Sequence, residues 1–208
     1  MDFRRIIRFH AETGADVTVA AVPVTAEMTP GLGIMRVDDS GRVVGFTEKP
    51  RPEALAELRH SPPAGGESPT AAGRDYLASM GIYVFRKDFL IDALMSSTAI
   101  DFGKELFPET IGGNKVYSHT FRGYWTDIGT IRSYYEANMD LTANLPQFSF
   151  YEAGMPVYTR ARNLPSTRLN NCTVHHSIIA EGSILNGSDV RSSIIGLRSH
   201  IGMGTTIK

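Results

Sequence analysis

The sequence predicts an α/β protein that ends in a parallel β-helix of hexapeptide repeats. Three observations carry this reading. An amphipathic helix near the N-terminus runs directly into an apolar strand, and strand-like and helix-like segments then alternate as far as Leu141. From Cys172 onward, apolar residues recur at a spacing of six.

Asp2 stands where an N-cap would, and Phe3, Ile6 and Ile7 follow at helical spacing until Gly14, a residue suited to a C-terminal stop. Ala15 to Val24 is rich in Val and Ala, as in a strand buried on both faces of a sheet. Residues 34–37 and 42–46 read as two strands joined by the turn Asp38-Asp39-Ser40-Gly41, where Gly41 supplies a positive φ. A short helix over 53–58 precedes a Pro-, Gly- and Ser-rich stretch around SPPAGGESPTAAG, read as a mobile loop. Tyr76 to Phe85 reads as a strand, 87–95 and 102–111 as short helices, 116–121 as a further strand and 131–141 as a helix.

The segment 144–165 is aromatic and proline-containing with little periodicity, and reads as a linker. The expected domains are therefore 1–143, the linker 144–165, and 166–208. In the last of these Cys172, Ile178, Ile184 and Val190, then Ile195, Ile201 and Ile207, are expected to point into a triangular solenoid. An ordinary run of short strands is the alternative.

The chain has 208 residues, 42% of them hydrophobic, enough to bury a core. Lys and Arg number 21 against 22 Asp and Glu, and no basic run occurs, so neither nucleic acid nor an anionic membrane surface is expected as a partner. The N-terminal stretch MDFRRIIRFH is neither a signal peptide nor a span, and the single Cys172 suits a reducing compartment, so the expected location is cytoplasmic.

Three motifs could carry chemistry. FTEKP, Phe46 to Pro50, sets the acid Glu48 beside the base Lys49 at the end of a hairpin. Such a base suits a phosphate as a point charge, and the acid suits sugar hydroxyls, although a solvated pair before a proline turn has the same sequence. SMGIYVF puts the Ser79 hydroxyl and a glycine at the mouth of a strand, as where backbone approaches a ligand closely, or simply in a core strand. YWTDIGT sets Asp127 before a helix, where it could hold a divalent cation or cap the helix.

The order of these motifs, with ASMGIYVF, DFGKE and GYWTDIGT followed by hexapeptides, resembles the glucose-1-phosphate adenylyltransferases (ADP-glucose pyrophosphorylases) along the whole chain. PQFSFY, TRARNLPSTRLNNC and SIIGLRSHIG are most similar to the cyanobacterial and plant branch of that family, which would mean a plastid if the source is a plant. The resemblance implies a nucleotide-diphospho-sugar transferase domain of Rossmann-like type, here partial, followed by the beginning of a left-handed parallel β-helix. It also implies a homo- or heterotetramer. The implied reaction converts ATP and glucose 1-phosphate to ADP-glucose and diphosphate, in glycogen or starch biosynthesis.

By the same resemblance Lys49 binds the sugar phosphate, Glu48 the glucose hydroxyls and Ser79 the glucosyl part, while Gly33 of GLGIM lies against the ligand. Asp127 resembles one of two aspartates that hold Mg²⁺.

The family's Gly-rich, Arg-bearing loop that grips the ATP phosphates has no counterpart here, nor has the Gly-Asp-His stretch with the second metal aspartate. A buried strand at 15–24 with nothing before its helix, and a solenoid stopping at Ile207-Lys208, are read as cuts through a larger protein. The chain is therefore expected to be an internal fragment, inactive alone and prone to aggregate. Competing readings are a sugar-1-phosphate guanylyl- or thymidylyltransferase, a hexapeptide acyltransferase using His175, His176 or His200, and a non-catalytic regulatory subunit or binding module.

Overall fold

A computed structural model of the chain describes residues 2–59, 73–151, 154 and 156–208. The loop expected around SPPAGGESPTAAG falls in 60–72 and lies outside the described residues. The chain folds as two compact units, Met1–Gly123 and Tyr124–Lys208.

The first unit opens with α1 (Phe3–Thr13), capped as its sequence requires. The Asp2 carboxylate accepts from the Arg4 backbone N–H, and Gly14, at φ 57°, closes the last turn by donating to Ala11 O and His10 O. Strand β1 (Val17–Val24) is buried at every position. It lies between β4 (Tyr76–Phe85) and β5 (Val116–Thr120) in a five-stranded mixed sheet ordered β3-β2-β4-β1-β5, with β2 (Gly33–Val37) and β3 (Val43–Glu48) at the other side. Only β1 and β5 run parallel; the other neighbours are antiparallel.

Both neighbours of β1 therefore come from later in the same chain. The neighbours a strand at 15–24 needs on both sides are β4, which runs antiparallel to it, and β5, which runs parallel. Pro23 is accommodated in this central strand because the ladder with β5 ends at Ala21↔Thr120, so no partner on that side needs its missing N–H.

The expected hairpin forms from β2 and β3. Asp38 ties its turn by accepting from Ser40 N and Arg42 N at 2.9 and 3.0 Å, and Gly41 sits at φ 81°. One sheet face carries Val17, Val19, Ala21, Met35, Leu77 and Val116 and packs on Phe107 of α4 (Phe107–Ile111), which continues a π-helical turn over Phe102–Leu106. Phe46, Tyr83, Phe85 and Phe102 extend this core as an aromatic cluster, with ring centroids 4.9 to 5.5 Å apart for Tyr83–Phe102, Phe46–Phe107, Tyr83–Phe107 and Phe85–Phe102. The opposite face is covered by α1 through Ile6, its one fully buried side chain, Phe9 and His10. The helix expected at 53–58 is a 3₁₀ turn over Pro52–Ala54 and the short α2 (Leu55–Leu58), and α3 spans Lys87–Ser96.

Asp16, just before β1, is nine-tenths buried. Its carboxylate accepts from Lys115 N at 2.8 Å and from the Arg86 guanidinium, locking the ends of β4 and β5 to β1.

The second unit contains α5 (Ile131–Asp140) and, from Arg168, eight short strands, β6 to β13, that pair in parallel in three small sheets. Arg168↔Ile184↔His200 and Ile178↔Ile194 step by 16 residues per coil, while Asp189↔Thr206 steps by 17. The corners repeat with the coil: Asn171 and Gly187, His176 and Ser192, and Gly182 and Arg198 all hold positive φ, each pair 16 apart. Such a coil is shorter than three full hexapeptides.

The inward set is correspondingly shifted from the expected one. Leu185, Val190, Ile195 and Ile201 form the core with Cys172, Ile179 and Ile207, so successive steps are five and seven as well as six. Ile179 and Leu185 take the inward places expected of Ile178 and Ile184, because the tightened corners advance the register by one residue.

Candidate active site

Glu48, Gly33, Ser79 and Ala21 are laid side by side by the ladders. Gly33 pairs with Glu48 across the hairpin, Ser79 pairs with Ala21, and Ile34↔Ala78 brings Gly33 to the row next to Ser79. A methyl group on Gly33 would meet Phe46 Cε2 at 2.7 Å and Glu48 Oε2 at 2.8 Å. The glycine is thus the floor over which the Glu48 carboxylate and the edge of Phe46 close, and any side chain would displace one of them.

Ser79 is positioned by a β-bulge. Val19↔Tyr83 and Ala21↔Ser79 leave Met80, Gly81 and Ile82 opposite the single residue Ala20. Gly81 absorbs the bulge at φ 69° and donates its N–H to Ser79 Oγ at 3.2 Å. The bulge also turns Tyr83 toward the same spot. Burial among Phe102, Phe107 and Phe85 pushes the Tyr83 phenol above its ordinary range, the Ser79 hydroxyl beside it works the other way, and the charges of Glu48 and Asp101 add to the rise.

Tyr83 and Asp101 were not among the candidates read from the sequence. Tyr83 follows Ser79 by four in a strand, a spacing that shares a face even without the bulge, so the signal was present. Asp101 caps the π-helical turn, its Oδ1 accepting from Lys104 N at 2.7 Å, which gives it a structural duty as well.

Lys49 leaves the end of β3 with its backbone at φ 47°, in the left-handed region that a lysine occupies only under constraint. The constraint is visible: its N–H donates to Leu32 O at 3.0 Å, so the backbone turn is pinned next to Gly33, and Pro50 after it is buried. The side chain is exposed. The pinned backbone fixes where the Lys49 side chain leaves the end of β3, directly after Glu48.

Asp127 belongs to the second unit. The cap of α5 is Thr130, not Asp127: Thr130 Oγ1 accepts from Ser133 N at 3.0 Å while Ser133 Oγ accepts from Thr130 N at 3.2 Å, a complete capping box. The helix-cap alternative for Asp127 is thereby corrected. Its carboxylate lies exposed over Gly129, 3.0 Å from where a Cβ would stand.

The described residues do not complete a Mg²⁺ site. Among the described residues no group of three His, Cys, Asp or Glu side chains comes together, and a single exposed carboxylate holds a hexacoordinate cation weakly. No helix among the described residues is long and apolar enough to cross a membrane.

The family model for nucleotidyl transferases matches residues 1–144, and that for the GLGC left-handed parallel β-helix domain matches residues 162–208. The sheet with its Glu48–Gly33–Ser79 row falls within the first match and the 16-residue coils within the second. The chain belongs to the nucleotidyl transferase family, with a left-handed β-helix of the GLGC type following its transferase domain.

Proposed function

We propose that the chain provides the sugar-phosphate half of a glucose-1-phosphate adenylyltransferase, in which a phosphate oxygen of glucose 1-phosphate attacks the α-phosphorus of ATP. The bond from that phosphorus to the bridging oxygen of the β-phosphate breaks, and diphosphate leaves with ADP-glucose as the other product. The observation that carries the reading is the Glu48–Gly33–Ser79 row with Lys49 held at positive φ beside it.

The role of each residue follows from its chemistry. Glu48, an acceptor only, takes hydrogen bonds from sugar hydroxyls, and its place over Gly33 fixes where the ring lies. Ser79 and Tyr83 present hydroxyls to the same ring from the bulged strand. The Lys49 ammonium offsets the phosphate charge and so lets the nucleophilic oxygen approach a second, equally anionic phosphate chain. Transfer of this kind is largely a matter of positioning, which suits a site built on sheet rows and a pinned turn. Asp127, ATP and assembly into a tetramer belong to the same proposal, as does the division of labour between a transferase domain at 1–143 and a solenoid from 166.

The test is titration of glucose 1-phosphate into the 208-residue chain, followed by ligand-observed NMR, with galactose 1-phosphate as the comparison. Saturable binding that prefers glucose 1-phosphate and falls at least ~10-fold in Lys49→Ala supports the reading. Equal binding by Lys49→Ala removes Lys49 from the phosphate, and no preference between the two sugars removes Glu48 from the ring.

A further inference from the structure

On the face of the sheet opposite the Glu48 row, α1 is fastened by few side chains. Ile6 is its one fully buried residue, Phe9 sets its ring edge-on to His119 of β5 at 5.3 Å and to Tyr117 at 6.4 Å, and His10 Nδ1 lies 2.8 Å from Oγ1 of the fully buried Thr18. His119 Nδ1 is buried and has no hydrogen-bond partner. We propose that protonation of His119 releases α1 from the sheet, making this helix an acid-sensitive latch on the back of the transferase unit.

An imidazolium carries a hydrogen on both ring nitrogens, so the charged form of His119 must place an unpaired donor at a buried position, whichever tautomer the neutral ring adopts. It would do so beneath α1, whose Arg5 charge acts on the ring; Arg4 of the same helix is paired with the Asp2 carboxylate at 2.8 Å, and the helix also carries Arg8 and Glu12. Burial lowers the His119 pKa, and the nearby Arg5 charge lowers it further, although the ring's interaction with its own backbone acts in the opposite sense.

His10 differs. Its pKa is also lowered by burial, but Asp16 opposes that shift while Arg86 supports it, and its partner is a hydroxyl able either to donate or to accept. The Thr18 bond therefore survives either state of His10, and Asp16 itself is already engaged by Arg86 and Lys115 N. His119 has no such accommodation, and losing its contact with Phe9 leaves Ile6, the Phe9–Tyr117 edge and the His10–Thr18 bond to hold the helix.

The sign is fixed by the direction of the shift. A histidine whose pKa is lowered by folding stabilises the latched form above its ordinary value near ~6.5, and that contribution is lost as pH falls from there toward the lowered value.

The experiment is hydrogen–deuterium exchange of the whole chain at pH 7.5 and 5.5, corrected for intrinsic rates, in wild type and in His119→Phe. The phenyl ring keeps the contact with Phe9 and cannot titrate. Protection of the α1 amides should fall by up to ~10-fold at the lower pH in wild type, with β1 and β4 unchanged, and fall clearly less in His119→Phe, where His10 alone still titrates. Protection of α1 that does not change in wild type, or that falls equally in His119→Phe, overturns the proposal. Should the variant not fold, an NMR titration of the wild-type imidazole decides: a pKa at or above the ordinary value rejects the latch, and one below it agrees.

Discussion

The carboxylate of Glu48 closes over Gly33, so that a single added methyl group would stand 2.8 Å from Glu48 Oε2. Gly33→Ala is expected to move Glu48 and to strain Phe46, whose ring is held edge-on by Phe107 at 5.1 Å. Urea unfolding should show a loss of ~1–3 kcal/mol, and glucose 1-phosphate binding should be weakened beyond what that loss explains. Unaltered binding would mean that Glu48 does not define the sugar position.

Lys49 separates strain from function. Lys49→Gly keeps the φ 47° turn without a Cβ, so thermal unfolding should show a protein no less stable than wild type, gaining up to ~1 kcal/mol, while glucose 1-phosphate binding falls. A variant both less stable and still able to bind would contradict both halves of the assignment.

Asp16 is expected to matter to the fold and not to the ligand. Asp16→Ala leaves the Lys115 N–H without its acceptor and Arg86 without its counter-charge, at a cost of ~2–3 kcal/mol in denaturant unfolding. Binding measured well below the unfolding midpoint should match wild type.

In the solenoid, Leu185→Ala and Ile184→Ala test the inward register directly. Leu185 is fully buried and its truncation should cost ~2–5 kcal/mol, whereas Ile184, half-buried beside it, should cost clearly less. The reverse order, read by thermal unfolding of the two variants, would restore the strict six-residue alignment.

Where one physical signal dominated, the structure agrees with the sequence. The 3.6-residue pattern with Asp2 and Gly14 at its ends marks α1, the unbroken apolar run marks β1, and Gly41 marks the hairpin turn. The neighbours of β1 were not legible, because pairing partners are chosen by tertiary packing and not by local pattern. The inward residues of the solenoid were ambiguous for a plainer reason: Ile178-Ile179 and Ile184-Leu185 are apolar doublets, and either member can satisfy a six-residue count. At the candidate site, Glu48, Lys49 and Ser79 stood out through their motifs and Gly33 through the family resemblance. Tyr83 was legible from its i+4 spacing to Ser79 on the same strand face but was not singled out, and the left-handed backbone of Lys49 has no signature in residue type.

The 16-residue step between equivalent corners has a consequence for how such a unit changes length. Because every strand rests on the one a coil earlier, material added or removed in whole coils preserves the cross-section and every buried contact type, and only the number of floors differs. The one 17-residue step, at Asp189↔Thr206, shows a corner taking up a single extra residue near Gly204 without disturbing the strands on either side. Length in this unit is therefore counted, not continuous, and the solenoid acts as a ruler graduated in coils, with slack confined to its corners.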